Sequence, residues 1–433
     1  MLIVQIFRLT KLCISAILYI NCKMDDSMYV IRTLEKYFIK ACRQFPVMLV
    51  TGARQVGKTT FLLHLSKKNQ TYITLDDPLI QNLAKEDPAL FLQRYKPPII
   101  IDEIQYAPEL LPYIKIEADR QRKNNLFWLA GSQYFYMMQG ITESLAGRVG
   151  IINLFGLSLQ EKKGSGNTVK PFLPQNITNK CKENNLPKLS LKELYYSIWR
   201  GSFPAIALNK DMDWNLFYSS YVQTYLQRDV SYLSQVGDIT SFMRFLKAAA
   251  ARTAQLLNIS QLARDADISV NTAKRWMSIL IKSGIVYLLE PYYSNVSKRL
   301  IKAPKLFFLD TGLCSWLTNW TSPETLEAGA ASGAMFETWV ISEILKTWQH
   351  NGLYPSFYYY RNKDQKEIDL LIVKDGVVYP IEIKKTASPH KQDIHYASLT
   401  RLGVKLGPGI IICLVEEPIP LSNDIYAIPA SYI

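Results

Sequence analysis

Apolar and polar positions along the 433-residue chain fall into three regimes. Residues 29–160 alternate short continuous apolar runs with stretches of helical spacing, the pattern of buried parallel strands joined by helices. Val47-Met-Leu-Val50, Pro97-Pro-Ile-Ile-Ile101 and Leu126-Phe-Trp-Leu-Ala130 are the clearest strands. From Leu191 the spacing turns to i+3/i+4, with Leu194, Ile198, Phe217, Tyr221, Tyr225 and Leu226 on it. That predicts helices, and the aromatics on the helix ending at Tyr225-Leu-Gln-Arg-Asp229 read as core rather than as a base-stacking platform. The tail then shows period two. Two apolar segments, Glu367–Val373 and Val377–Lys385, flank Lys374-Asp-Gly376, a strong hairpin signal.

Between the first two regimes, residues 161–190 are rich in Lys, Asn, Gly and Pro, which predicts a solvated, flexible linker or insertion. Residues 1–28 form an apolar leader or a mis-assigned start. The clean run Leu12–Ile20 is shorter than the ~20 residues of a membrane helix. A start at Met24 or Met28, a signal peptide and membrane attachment are the three readings, with the later start ahead of membrane attachment or export.

Charge narrows the partners. Fifty Lys+Arg against 37 Asp+Glu give +13, with a pI near 9.2. This favours an anionic partner, nucleic acid first and phosphorylated metabolites or a membrane surface next, without deciding among them. Of the nucleic acids, DNA is expected ahead of RNA. Six scattered cysteines without a CxxC pair and four histidines argue against a disulfide framework or a zinc centre and suit a cytoplasmic protein.

The first chemical signal is Gly52-Ala53-Arg54-Gln55-Val56-Gly57-Lys58-Thr59-Thr60 between the Val47–Val50 strand and the helical Phe61-Leu-Leu-His-Leu65. Glycines let successive amides curl inward around phosphate oxygens, and the following helix adds its positive end. Lys58 would reach the β- and γ-phosphates of ATP, and Thr59 would ligate Mg²⁺. The second strand ends in Asp102-Glu103. Adjacent acids at the tip of a buried strand are costly as packing but fit a metal-holding Asp102 and a water-polarising Glu103. The third ends in Gly131-Ser132-Gln133, whose polar side chains would lie at the same sheet edge, where ligands bind open parallel sheets. Arg148 reads either as a surface arginine at a helix end or as an arginine finger offered to a neighbouring subunit.

Residues 243–310 predict a winged helix-turn-helix: Ser260–Arg264, a turn at Asp267–Ser269, a helix over Val270–Ile281, and strands at Val286–Glu290 and Lys305–Leu309. Asn271, Lys274 and Arg275 would face a DNA groove if that helix reads DNA. The equal alternative is a module used only for packing between domains. In the tail, Glu337 on a helix, Asp369 on the first hairpin strand and Glu382 with Lys384 on the second form a set suited to metal-assisted phosphodiester cleavage. An amphipathic hairpin with an ordinary Glu–Lys surface pair is the other reading.

These motifs, together with Ile101-Asp-Glu-Ile-Gln105, Ser144-Leu-Ala-Gly-Arg148, Tyr221–Val230, Lys305–Leu313 and Phe336-Glu337, make the chain resemble bacterial and archaeal AAA-type ATPases that join a P-loop domain to a C-terminal region of unknown function. The likeness covers about residues 29–433. It implies an α/β fold with an additional-strand P-loop ATPase domain over 29–160, a helical and winged-helix domain over 191–310, and a restriction-endonuclease-like PD-(D/E)xK α/β domain over 311–433. It also implies a sensor near Ser132 or Gln133, makes Arg148 the finger, and with it a homo-oligomer. The activity implied is ATP hydrolysis, acting on or regulated by nucleic acid. The alternative is a nucleotide-driven switch whose tail binds nucleic acid or protein without cutting.

Overall fold

In the computed structural model, residues 29–131, 144–180, 189–225, 239–292, 303–400 and 403–433 are described. Residues 1–28, Ser132, Gln133 and Leu226–Asp229 lie outside them.

The first region is built on five parallel strands in the order β2-β3-β4-β1-β5. They are β1 (Val47–Thr51), β2 (Thr71–Thr74), β3 (Ile99–Asp102), β4 (Phe127–Ala130) and β5 (Val149–Asn153). β4 sits between β1 and β3, the additional strand expected. Both faces of this sheet are apolar, which explains the unbroken runs: Val47, Leu49, Ile99, Ile101, Phe127 and Leu129 pack into one layer, and Met48, Val50, Ile100, Trp128 and Ala130 into the other. Helix α1 (Glu35–Cys42) and helix α2 (Lys58–Leu65) cover the second face. There Phe38 meets Phe61 and Trp128 edge-on, with centroids 5.2 and 4.9 Å apart. Helix α3 (Leu110–Gln121) closes the first face with Leu110, Leu111 and Ile114.

Helices α4 (Leu191–Arg200), α5 (Trp214–Tyr225) and α6 (Ile239–Ala250) follow. Tyr218 and Tyr221 are buried among other aromatics, so the ring-rich face is core. α7 (Ile259–Asp265) and α8 (Val270–Lys282) are joined by a turn through Asp267, whose φ is 56°; the Ser269 hydroxyl accepts the Thr272 amide and starts α8.

A second sheet, of ten strands, begins in this middle region and runs through the tail. β6 (Gln255–Leu256), β7 (Val286–Pro291) and β8 (Lys305–Phe308) form one edge. β9 (Ser356–Arg361), β10 (Glu367–Lys374), β11 (Val377–Ile383), β12 (Lys405–Leu406), β13 (Gly409–Cys413), β14 (Ile419–Pro420) and β15 (Ile425–Pro429) supply the rest. The join is a parallel pairing of β7 with β9, Glu290 opposite Tyr358. The β10–β11 hairpin has the expected turn, with φ of 51° at Asp375 and 74° at Gly376, a pair of positive values that suits right-twisted strands. Helix α9 (Ser332–Gln349) precedes β9 and is buried along nearly its whole length, between this sheet and the first region.

One expectation is corrected here. Residues 161–180 are not a solvated linker: Glu161, Phe172, Leu173 and Ile177 are buried, and Phe172 exchanges hydrogen bonds with Thr347 and Trp348 of α9 at 3.0 and 2.9 Å. The polar composition concealed side chains that pair inside the molecule. Residues 181–188 lie outside the described set.

Candidate nucleotide site and acid cluster

β1 delivers the chain into a loop that glycine makes possible. Gly52 has φ 141°, and a Cβ there would meet the Leu154 carbonyl oxygen at 2.1 Å. Gly57, at φ 92°, caps α2. Lys58 is buried, and its ammonium donates to the Gly52 and Ala53 carbonyls at 3.1 and 2.9 Å, curling back over its own loop. Arg54, Gln55 and Val56 form the loop's crest, and Thr60 lies in the first turn of α2.

β3 brings the acids to the same sheet edge. The Thr59 hydroxyl donates to Asp102 Oδ2 at 2.6 Å, and the Tyr72 hydroxyl, from β2, donates to the same oxygen at 3.1 Å. The Asp102 Oδ1 atom accepts the Glu103 amide at 3.0 Å. Glu103 leaves the strand with φ 54°, a left-handed conformation that swings its carboxyl off the strand axis. Its carboxylate accepts from the Gln105 side-chain amide. Burial pushes the Glu103 carboxyl above the ordinary carboxylate range, and Gln105 and Lys58 only partly offset it. Thr59 and Asp102 are hard oxygen donors in contact with each other, a donor set that fits Mg²⁺.

Arg148 stands elsewhere. Its carbonyl accepts the Val47 amide, and it immediately precedes β5 at the end of the sheet opposite the loop, a strand length of about 13 Å at roughly 3.3 Å per residue. Its guanidinium is half-exposed and pairs with Asp119 of α3 at 2.6 Å.

A cavity of about 270 Å³ adjoins the loop's outer wall, lined by Gly52, Ala53 and Val56 on one side and by Ser202, Gly284 and Asp310 on the other. None of Lys58, Thr59, Asp102 and Glu103 lines it. Gly284, after α8, comes so near that a Cβ on it would lie 3.6 Å from the Ala53 nitrogen. The middle region therefore touches the loop from behind.

On α8, Asn271, Lys274 and Arg275 are exposed while Ala273, Trp276, Met277 and Leu280 are buried. The three expected groove-facing residues share the free face.

The tail set also comes together, with a member that the motifs did not reveal. Lys305, on β8, places its ammonium 3.0 Å from Glu337 Oε1 and 3.4 Å from Asp369 Oδ1, and it also pairs with Glu367. Asp369 Oδ2 accepts the Ile383 amide at 2.9 Å. Glu382, one step beyond the Leu370–Ile381 pair of the hairpin, gives Oε1 to Lys384 at 2.8 Å, while its buried Oε2 has no hydrogen-bond partner. Lys305, with Lys384 beside Glu382 and Arg361 beside Glu367, does not offset the cost of burying these acids together. Burial, then repulsion by Asp369, pushes Glu337 up to about 8 and Glu382 up to about 9. Lys305 moves the other way. Burial alone would lower its pKa, but Glu337, Asp369 and Glu367 outweigh that and raise it. Among the described residues, no three His, Cys, Asp or Glu side chains are grouped so as to hold a metal ion. A lysine cation, Lys305, stands between Glu337 and Asp369.

Residues 44–162 match the family model of the AAA domain, and they span the five-stranded sheet, the loop and the Asp102-Glu103 strand tip. This region is an AAA-type ATPase domain. Residues 191–324 and 332–433 match two domains of unknown function, DUF8612 and DUF4143. Lys305 lies in the first of these and its three carboxylate partners in the second. Over 398 residues, 91% of this chain and 82% of the relative, the chain is 29% identical to the uncharacterized proteins Rv2008c of Mycobacterium tuberculosis and Mb2031c of Mycobacterium bovis. Among solved structures it is similar to the Walker-type ATPase PABY2304 of Pyrococcus abyssi, at 14% identity and TM-score 0.40 over 66% of this chain and 94% of the other. The RuvB Holliday junction branch migration motor of Thermotoga maritima gives 17% and 0.29 over 60% and 89%. No helix among the described residues is long and apolar enough to cross a membrane.

Three groups whose roles sequence patterning missed bear on these sites: Tyr72, Gln105 and Lys305, the last two inside quoted motifs. Lys305 carried a usable signal, a charge opening the otherwise apolar strand Lys-Leu-Phe-Phe308.

Proposed function

We propose that the chain binds ATP with Mg²⁺ at the 52–60 loop, hydrolyses it, and uses the cycle as a switch on nucleic-acid binding by its middle and C-terminal regions. The observation that carries this is the contact of Thr59 with Asp102, with Glu103 beside it, at the loop end of a parallel sheet. Lys58 exchanges its two loop carbonyls for β- and γ-phosphate oxygens, and the loop amides cradle the rest. Thr59 and Asp102 would hold the divalent ion, which would neutralise phosphate charge when bound. Glu103 orients a water toward the γ-phosphorus and accepts its proton as the bond to the ADP oxygen breaks. Glu103 must be ionised to act. The expected sensors Ser132 and Gln133 lie outside the described residues.

Arg148 cannot serve its own chain's loop from the far end of the sheet. It is offered to a second copy, which makes the working form a homo-oligomer. Arg148→Ala is expected to fold normally and to lose about 10³–10⁵ in turnover at every concentration; unchanged turnover contradicts the assignment.

For the tail, the winged-helix and PD-(D/E)xK-like readings stand as our proposals. Lys305 among the acids favours binding without cleavage, and Asn271, Lys274 and Arg275 supply the contacts, with DNA preferred over RNA. The second reading, an ATP-regulated nuclease, draws on the unpaired Glu382 Oε2, an acceptor suited to a cation. Purified chain with ATP, Mg²⁺ or Mn²⁺ and single- and double-stranded DNA and RNA separates them. Phosphate release abolished by Lys58→Ala, salt-dependent binding weakened by Lys274→Ala/Arg275→Ala and no strand scission support the switch. Scission lost in Asp369→Ala supports the nuclease. The dependence on ATP makes the cytoplasm the compartment we assign.

A further inference from the structure

Arg32 lies outside every motif and is buried, 4% exposed, against the back of the loop. Its Nη1 donates to the Val56 carbonyl at 3.1 Å, and its Nη2 to the Phe155 and Gly156 carbonyls at 2.6 and 3.4 Å. A planar trans peptide points its C=O and N–H in opposite directions. Holding the Val56 oxygen therefore aims the Gly57 amide away from Arg32, toward the loop's concave side.

The guanidinium is itself held. Its Nε stands 3.3 Å from Glu161 Oε2, and Glu161, fully buried, also accepts the Thr33 and Ser158 amides at 2.8 and 2.9 Å. His350 closes the far side, Nδ1 3.2 Å from Glu161 Oε1, and its Nε2 accepts the Phe155 amide at 3.4 Å. Burial opposes ionisation of Glu161, yet the Arg32 guanidinium holds it below the usual carboxylate range, so it stays an anion. Burial lowers the pKa of His350, so its imidazole stands beside that anion as a neutral ring. His350 is the C-cap of α9. The same helix docks on residues 157–159 through Lys346, which donates to the Leu157 carbonyl at 3.2 Å, and Glu343, which accepts the Leu159 amide at 2.7 Å. Glu337, on this helix, meets Lys305 in the acid cluster.

We propose that Arg32 is a positioning residue for nucleotide binding, and that the Arg32–Glu161–His350 chain couples the loop to α9 and through it to the acid cluster of the tail. Free energy passed along such a chain is reciprocal: whatever steadies α9 also steadies the loop. This rests on the reading that the loop holds ATP.

The test uses the full chain, measuring affinity for a fluorescent ATP analogue with Mg²⁺ and amide hydrogen exchange over residues 332–349 with and without nucleotide. Wild type is expected to bind and to gain protection in that helix. Arg32→Gln weakens binding about tenfold or more, the scale of a lost charged hydrogen bond. Arg32→Lys, which keeps the charge opposite Glu161 but not the planar fork, falls between and decides the matter if the glutamine variant does not fold. His350→Gln leaves affinity within about threefold, because its hydrogen bonds to the loop are indirect, and abolishes the nucleotide-dependent protection. If wild type takes up no nucleotide, the functional reading fails. If wild type binds but the Arg32 variants bind equally well, or α9 responds identically in His350→Gln, this inference alone is overturned.

Discussion

Two of the described sites set a lysine near strand-borne carboxyls, and they are built for opposite ends. In the ATPase domain Lys58 is rooted in a loop that its own carbonyls hold, and Asp102 is met by hydroxyls of Thr59 and Tyr72. Those are neutral partners, which a phosphate or a divalent ion can displace at small cost. In the tail Lys305 is rooted in a strand and locked by ion pairs to Glu337, Glu367 and Asp369. Displacing it would leave an ammonium or several carboxylates buried and unpaired, which is expensive. Similar residue types thus make a site prepared for a ligand in one region and a site filled by the chain itself in the other.

Four expected outcomes sharpen or break this contrast. The largest concerns turnover. Glu103→Gln should lower ATP hydrolysis by about 10²–10⁴, measured as phosphate release, while nucleotide affinity stays near wild type; a change of less than tenfold would remove Glu103 as the base. Next, Lys305→Met should destabilise the C-terminal region by about 3–5 kcal/mol in denaturant unfolding, since it orphans buried carboxyls. Adding Asp369→Asn and Glu337→Gln should restore part of that. If the single variant is as stable as wild type and binds Mn²⁺, the site was a metal site held shut.

How much of this was legible depended on sequence distance. The loop, the Asp102-Glu103 tip and the Asp375-Gly376 hairpin each follow from a few consecutive residues whose spacing has a backbone reason. Lys305 did not, because its partner Asp369 is 64 residues away and the two meet only through the β7–β9 pairing that joins two regions expected to be separate. Glu161 failed for another reason. Amino-acid type alone cannot distinguish a charge in water from one buried against Arg32 and His350, and the polar run around it argued for the wrong environment.

Gly52→Ala comes third. Its new Cβ would strike the Leu154 carbonyl, and at φ 141° the backbone strain adds to the clash, so a loss of roughly 1–3 kcal/mol in the ATPase domain is expected by thermal unfolding. The corresponding Gly376→Ala, where the glycine also has positive φ but open space, should cost less. The last outcome is a pH slope, the smallest in its change per pH unit. Glu337 and Glu382 titrate near 8 and 9 when folded and at ordinary carboxylate values when unfolded. The folded tail therefore holds more protons between about pH 4.5 and 9, and its stability falls as pH rises through that window, by at most about 1.4 kcal/mol per unit for each group. Glu382→Gln should flatten the slope; a stability that rises with pH across the window would contradict the buried, crowded acids.

The central claim is that loop, lysine and strand-tip acid form a receptor for a nucleoside triphosphate and its ion. Equilibrium titration of folded chain with ATP and Mg²⁺ tests it most directly. The account predicts saturable uptake of one nucleotide per chain, lost in Lys58→Ala. Folded wild type that shows no saturation, or a Lys58→Ala variant that binds equally tightly, would contradict it.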